Sequence, residues 1–383
     1  MAIAYGFGQS GTPKTIIRAG AGVFYERFAL PNIMTTVRQN GMNQLQLLVT
    51  DPSRACNPTN VAACTGGTSG NTTYLTAPSL RTPYALMFAV EADQQIVRGV
   101  TLSVNFRQTR GIHQFYSENL NAPQNGVYPV PPNGSAAPEV LYRFESGGIF
   151  NQSRLDFNIN ARIHRYLSLY GYTFLNFARS DTGGPSTFPS VPGDIGADYG
   201  RGLFDIRQRS YLGGSASLPF GLTWSFTLVG WSGSPYNVTL GSDLNKDSIY
   251  NDRPSFLPGE NKASCRDAAS FESPTSGSRY VPIPINYCTG PGSFVAYTRL
   301  VKNFGIGPMR GSHKSSGRGS DTGRRYNFSI GVQFQNLFNN ADLSTPQGVL
   351  TSPQFGRSTQ LAGNPFTASD SVRRIYLQSA FSF

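Results

Sequence analysis

Tryptophan and histidine are nearly missing from this sequence, which has 2 Trp and 3 His in 383 residues. His113, His164 and His313 lie far apart, and none has a second ligand at metal-binding spacing. Gly-x-Ser-x-Gly and phosphate-loop patterns are absent too, so catalysis has no motif to stand on. No apolar run approaches the roughly 18–20 residues of a membrane helix, and no segment keeps a 3.6-residue period. Acids are scarce beside bases (Asp+Glu 21, Lys+Arg 32, net +11). The arginines are nevertheless scattered, without a basic helix or a nucleic-acid motif, which argues against nucleic acid as a partner. No charged, then apolar, export signal opens the chain. Its front is therefore expected to be the interior of a longer protein.

What is present is aromatic: 26 Phe and 19 Tyr, with a mean hydropathy of only -0.27. That combination suits strands that are apolar on one side and polar on the other, since such strands average out to neither. Alternation is plain in several places. Val100, Leu102, Val104 and Phe106 alternate with Thr101, Ser103, Asn105 and Arg107. Leu155, Phe157, Ile159, Ala161 and Ile163 alternate with Asp156, Asn158, Asn160, Arg162 and His164. Tyr326, Phe328, Ile330, Val332 and Phe334 repeat the pattern, and Ile375, Leu377, Ser379, Phe381 and Phe383 share one face of the last segment. The chain reads as all-β.

The connections select among all-β folds. Tight turns fall near residues 94–98, 165–166 and 219–221, whereas the alternate gaps are long and rich in Gly, Pro, Ser and Asn: 29–82, 110–153, 179–204, 241–295 and 340–372. Short turns on one side and long loops on the other characterise a transmembrane, antiparallel, up-and-down β-barrel of the outer membrane, with the loops extracellular. Outer-membrane lipid and lipopolysaccharide are then its surroundings. The count is ten strands and a stub at residues 2–7. Single-chain bacterial barrels close with an even number, from about 8 upwards, so about 10–12 strands are expected here as part of a larger barrel. Residues 305–325 break the rule as a basic insertion on the short-turn side, with the composition of a flexible linker.

Four cysteines fall as two local pairs in the long loops. An even count in an oxidising compartment predicts Cys56–Cys64 and Cys265–Cys288 disulfides, with other pairings and free thiols left open. Asp243, Asn245 and Asp247 place oxygens at alternate positions, as in the first part of a calcium loop, with Asn251 or Asp252 to complete the shell. Ser248 stands where such a loop has Gly and no Glu follows at the twelfth position, and Asp/Asn clusters also form plain turns. No other cofactor is expected. Arg107 and Arg162, on the polar face, suit either an anionic solute or acids nearby. The Phe/Tyr excess is read as an aromatic girdle. The loop tyrosines Tyr74, Tyr128, Tyr142, Tyr199, Tyr250, Tyr280 and Tyr287 suit loop packing or stacking on a ligand.

Several stretches, taken in order, resemble the C-terminal half of TonB-dependent outer-membrane receptors of the Oar-like type, which carry a carboxypeptidase-regulatory-like domain. They are Lys14-Thr-Ile-Ile-Arg-Ala-Gly-Ala-Gly-Val-Phe-Tyr-Glu-Arg27, Phe204-Asp-Ile-Arg-Gln-Arg209, Ser232-Gly-Ser-Pro-Tyr236 and Asn251-Asp-Arg-Pro254, then Phe334-Gln-Asn-Leu-Phe-Asn339, Phe355-Gly-Arg357 and Arg373 to Phe383. The resemblance implies a barrel of about 22 strands filled by an N-terminal plug. It also implies uptake of a small molecule, peptide or saccharide, energised by the TonB complex through that plug. Neither plug nor energy-coupling box is in this sequence. Two rivals remain: a complete small barrel serving as a passive porin or adhesin, in which first and last strands pair, and a barrel-embedded hydrolase, which needs acids and histidine clustered at the outer rim.

Overall fold

The computed structural model describes residues 1–383 except 9–12, 45–71, 125, 132–137, 165, 275–280, 310–323 and 363–370. The elements run β1 (Ala2–Phe7), β2 (Thr15–Tyr25), α1 (Leu30–Arg38), β3 (Thr72–Thr76), β4 (Tyr84–Val97), β5 (Val100–Asn119), β6 (Val140–His164), β7 (Leu167–Ser180) and β8 (Gly200–Arg201). Then come β9 (Gln208–Leu218), β10 (Leu222–Trp231), β11 (Pro235–Tyr236), β12 (Ser255–Phe256), β13 (Phe271–Glu272), β14 (Cys288–Thr289), β15 (Ser293–Met309), β16 (Arg324–Gln335) and β17 (Arg374–Ser382). One sheet carries the fold, in the order β1-β2-β4-β5-β6-β7-β9-β10-β15-β16-β17, with β3 and β8 attached at its side. Every pairing along that order is antiparallel.

Register decides which residues share a face, because directly opposed residues point the same way. One row across the sheet reads Ile3, Ala19, Val90, Phe106, Leu155 and Leu175. The neighbouring row, on the other face, reads Arg18, Glu91, Asn105, Asp156, Phe174 and Arg209. The first face continues through Leu228, Leu300, Val332 and Leu377, so the strong alternations of the sequence all fall on it. Its large side chains are bare: Phe106 is 41% exposed and Leu377 78%. In water that would be a severe cost; in hydrocarbon it is the favoured state. No helix among the described residues is long and apolar enough to cross a membrane.

The short turns sit together at one end. At the β4–β5 turn Gly99 has φ +85°, and a Cβ there would lie 2.6 Å from the Arg162 carbonyl oxygen. At β9–β10 the turn residues Phe220 and Gly221 both have positive φ (63° and 69°), the backbone that a tight hairpin needs. The long connections gather at the opposite end.

Three expectations change. The gap at 110–153 is mostly strand, because β5 runs on to Asn119 and β6 begins at Val140; the two form a tall hairpin above the rest, broken in register near Gln114. The gap at 29–82 contains α1, the one α-helix among the described residues, and β3, which pairs in parallel with the start of β6. The insertion at 305–325 is narrower, since β15 continues to Met309 and β16 starts at Arg324, with 310–323 outside the described residues.

Candidate functional site

Two surfaces carry polar chemistry: the inner face of the sheet and the loop assembly at its long-loop end. On the inner face, Arg18 donates to Glu91 at 3.0 Å and to Asp93, while Ser103 donates to Asp93. Arg154 grips Asp156 at 2.6 Å and lies 3.9 Å above the Phe174 ring. Across the pleat Arg107 stands opposite Arg154, and Arg162 opposite Ser168, so both predicted polar-face arginines do face inward. Like charges opposed at this distance repel; Asp156 offsets the Arg154 half of the pair. Tyr170, Tyr172 and Tyr211 also line this face, Tyr172 stacked on Tyr211 at 5.7 Å. These three of the 19 tyrosines are therefore lumen wall rather than girdle. Tyr25 and Tyr84, paired at 5.9 Å on the outer face, do sit at its loop-side margin.

Above the rim the loops have a core of their own. Tyr236, Val238, Phe271, Ile283, Cys288 and Phe355 pack together, and Cys265 joins Cys288 in a disulfide with a Cα–Cα distance of 5.8 Å. Cys56 and Cys64 lie outside the described residues, as do Tyr280 and His313. The Ser232-Gly-Ser-Pro-Tyr236 stretch seeds this core. Gly233 passes so close to the opposite strand that a Cβ would fall 1.7 Å from the Gly290 carbonyl oxygen, and Pro235–Tyr236 then pairs with Cys288–Thr289.

Charged residues lock the loops to one another. Arg253 is fully buried and meets Asp198, also buried, at 2.5 Å. Its remaining N–H groups reach the carbonyls of Ile283 (2.8 Å) and Ala197 (3.0 Å), and Asp198 accepts from Ser190 through both the backbone and the hydroxyl. Asp205, likewise buried, takes Arg201 at 2.8 Å and Arg207 at 3.1 Å and caps the Ala178 N–H. A buried pair so fully satisfied is costly to break from one side. Asp205 and Arg253 occur in two of the stretches that carry the family resemblance; Asp198 does not, and no local sequence signal pairs it with a residue 55 positions away.

The Asp243–Asp252 segment folds as interlocking turns. Asp243 accepts from Asp247 N (3.1 Å) and Ser248 N (2.8 Å), and Asn245 from Asp247 N (3.0 Å). Asp247 accepts from Ile249 N (2.8 Å) and Asp252 from Leu244 N (2.7 Å). Among the described residues no group of three or more His, Cys, Asp or Glu is placed to hold a metal. The sequence-predicted ligands thus share one loop, but their oxygens point to backbone amides; Asn251 Oδ1 alone is buried without a donor. Burial, reinforced by Asp243 and Asp252, pushes the Asp247 carboxyl up to about 7. The segment is tied to its surroundings by Asn119 donating to the Asp247 carbonyl (2.6 Å), Asn251 to Phe188 (2.9 Å) and Asn245 to Ser190 (3.2 Å). Among the described residues neither surface gathers a nucleophile, base and orienting acid.

The family model described as "Outer membrane beta barrel domain" matches residues 3–375. No curated protein matches the chain. Among solved structures the chain is similar to the outer membrane transporter YddB from Escherichia coli, with a TM-score of 0.50 and 12% identity over 96% of this chain and 38% of that one. A mutant of the ferric enterobactin receptor PfeA from Pseudomonas aeruginosa gives 0.49 and 8% identity, over 100% and 39%. P. aeruginosa FpvA bound to heterologous pyoverdines gives 0.46 and 9% identity, over 99% and 32%. At such identities the likeness to YddB shows the fold alone, and the chain spans well under half the length of each.

Proposed function

The chain belongs to the outer membrane beta-barrel domain family, and from that premise we propose that this outer-membrane protein serves transport as the barrel segment of a TonB-dependent receptor. The observation that carries the reading is the pairing of an inward face built of Arg18, Glu91, Asn105, Asp156 and Arg209 with a loop assembly knit over the same end by Asp198–Arg253 and Cys265–Cys288. A packed canopy suits capture of a ligand better than a free passage does. The ligand would be a small molecule, peptide or saccharide met by the loops, and the TonB complex would supply energy through a plug. A calcium ion in the Asp243–Asp252 loop would be an accessory to that canopy.

Among the described residues β1 pairs only with β2 and β17 only with β16. An unpaired edge in lipid leaves backbone N–H and C=O groups unsatisfied at several kcal/mol each, so both edges call for further strands. That favours the larger barrel over a small self-closing porin. A rim hydrolase would need a histidine clustered with acids, and among the described residues no group of three or more His, Cys, Asp or Glu is gathered closely enough to hold a metal; the non-enzyme reading goes with the transport reading rather than with that absence.

The test is uptake. Cells making the full receptor are offered labelled metal chelates, oligopeptides and oligosaccharides, with and without TonB. Accumulation that needs both the receptor and TonB supports the reading. Uptake indifferent to TonB, or steady large conductance from the purified protein in planar bilayers, would overturn it in favour of a passive pore.

A further inference from the structure

The helix α1 is built inside out. Its apolar residues Leu30, Ile33, Met34 and Val37 recur at the i, i+3, i+4, i+7 spacing of a single stripe, and they are 67%, 42%, 38% and 52% exposed. Asn32, Thr35 and Thr36, which fall between them, and Gln39 at the C-cap are half-buried. The helix rests on β3, with the Gln39 carbonyl accepting from Tyr74 N at 2.7 Å. A surface helix in water turns the other way, apolar stripe to the protein and polar side out. This stripe is turned away from the protein.

Its height settles what meets it. β2 leaves the sheet at Tyr25, which pairs with Tyr84 on the outer face; amphipathic rings of this kind sit at the membrane–water boundary. Five residues later, at Leu30, α1 begins, with Pro31 in its first turn. Between them Phe28 packs edge-on against the buried Phe115 and Phe144, at 5.0 and 5.2 Å. The lipid-facing band of β2 ends in exposed Val23 and Tyr25, so the chain enters α1 directly from the loop-side margin of that band. Arg27 and Arg38 flank it, both exposed, and no acid lies in residues 27–43.

We propose that α1 is an interfacial helix that lies on the outer leaflet, its Leu30–Ile33–Met34–Val37 stripe sunk among acyl chains and its arginines on anionic headgroup phosphates. This membrane contact lies outside the barrel wall and is independent of what the barrel carries.

The test places a cysteine at Ile33, Val37 or, on the polar side, Thr36 in the full protein. Each is labelled with an environment-sensitive fluorophore, and the unsubstituted protein serves as the labelling blank. Reconstitution is into vesicles of lipopolysaccharide and phosphatidylglycerol. The proposal expects Ile33→Cys and Val37→Cys to emit at shorter wavelength, to be quenched by brominated acyl chains and to be shielded from iodide, with Thr36→Cys unquenched by the brominated lipid. Quenching of the stripe by iodide instead would show it in water. Protection from both quenchers would show another protein surface covering it. Either result overturns the proposal.

Discussion

At the scale of single residues, the canopy depends on charges withdrawn from water. Replacing Arg253 by Leu leaves Asp198 buried without its cation, a type of loss that costs about 3–5 kcal/mol. Hydrogen exchange should then accelerate at residues 187–201 and 241–256 while the strand amides keep their protection. Asp247 offers a reading by pH. Its carboxyl is raised to about 7 by burial and by Asp243 and Asp252, so the folded loop favours the protonated form. The loop is most stable below the ordinary carboxylate range and loses stability as pH rises toward and through about 7. Asp247→Asn keeps an acceptor for Ile249 N and should flatten that dependence, as measured by exchange of the loop amides between pH 4 and 8. Calcium held by these oxygens would stabilise the ionised form and oppose the loss at neutral pH. An unchanged profile in millimolar calcium would sink the calcium reading.

For strands, side-chain parity matters more than residue type. Val104 points to lipid and its neighbour Asn105 to the interior, in rows with Phe157 and Asp156 respectively. Val104→Arg should therefore cost about 2–4 kcal/mol near mid-membrane, whereas Asn105→Arg, one position along, should be nearly neutral. Urea-driven folding into bilayers measures both. That parity is also why the membrane part was legible in the sequence: lipid on one side and a polar interior on the other impose a period of 2. Where the same strands rise beyond the membrane the contrast disappears. In residues 112–119 of β5 and 140–149 of β6 the face covered by loops carries Ser117 and Asn119 beside Phe115 and Phe144, and the other face carries Tyr116, Glu118, Arg143 and Glu145, so the apolar–polar alternation fades and the tall hairpin read as loop. The parallel pairing of β3 with β6 has no local signature, and neither has an ion pair between Asp198 and Arg253. Of the loop site the sequence showed residue types at the Asp243–Asp252 segment, but not that their oxygens would be taken up by backbone amides.

The molecule as a whole divides into a wall held by strand pairing and a canopy held by its own core, and the two should fail separately. In the chain-entropy view, opening a loop of the 23-residue span between Cys265 and Cys288 forfeits about 3 kcal/mol. Replacing both cysteines by Ser should loosen the packing around Tyr236, Ile283 and Phe355, detected as faster proteolysis of residues 255–290. The heat-dependent gel mobility that reports the folded wall should stay unchanged. The same cross-link has a consequence for biogenesis. In bacteria the compartment that oxidises cysteines is the periplasm, which a chain bound for the outer membrane visits first; with the long loops extracellular, as the short-turn and long-loop pattern leads one to expect, this disulfide ends up on the far side. The segment from Cys265 to Cys288 therefore travels outward as a ring already shut. The machinery that seats the strands has to open wide enough to pass a closed hoop of chain rather than a single thread.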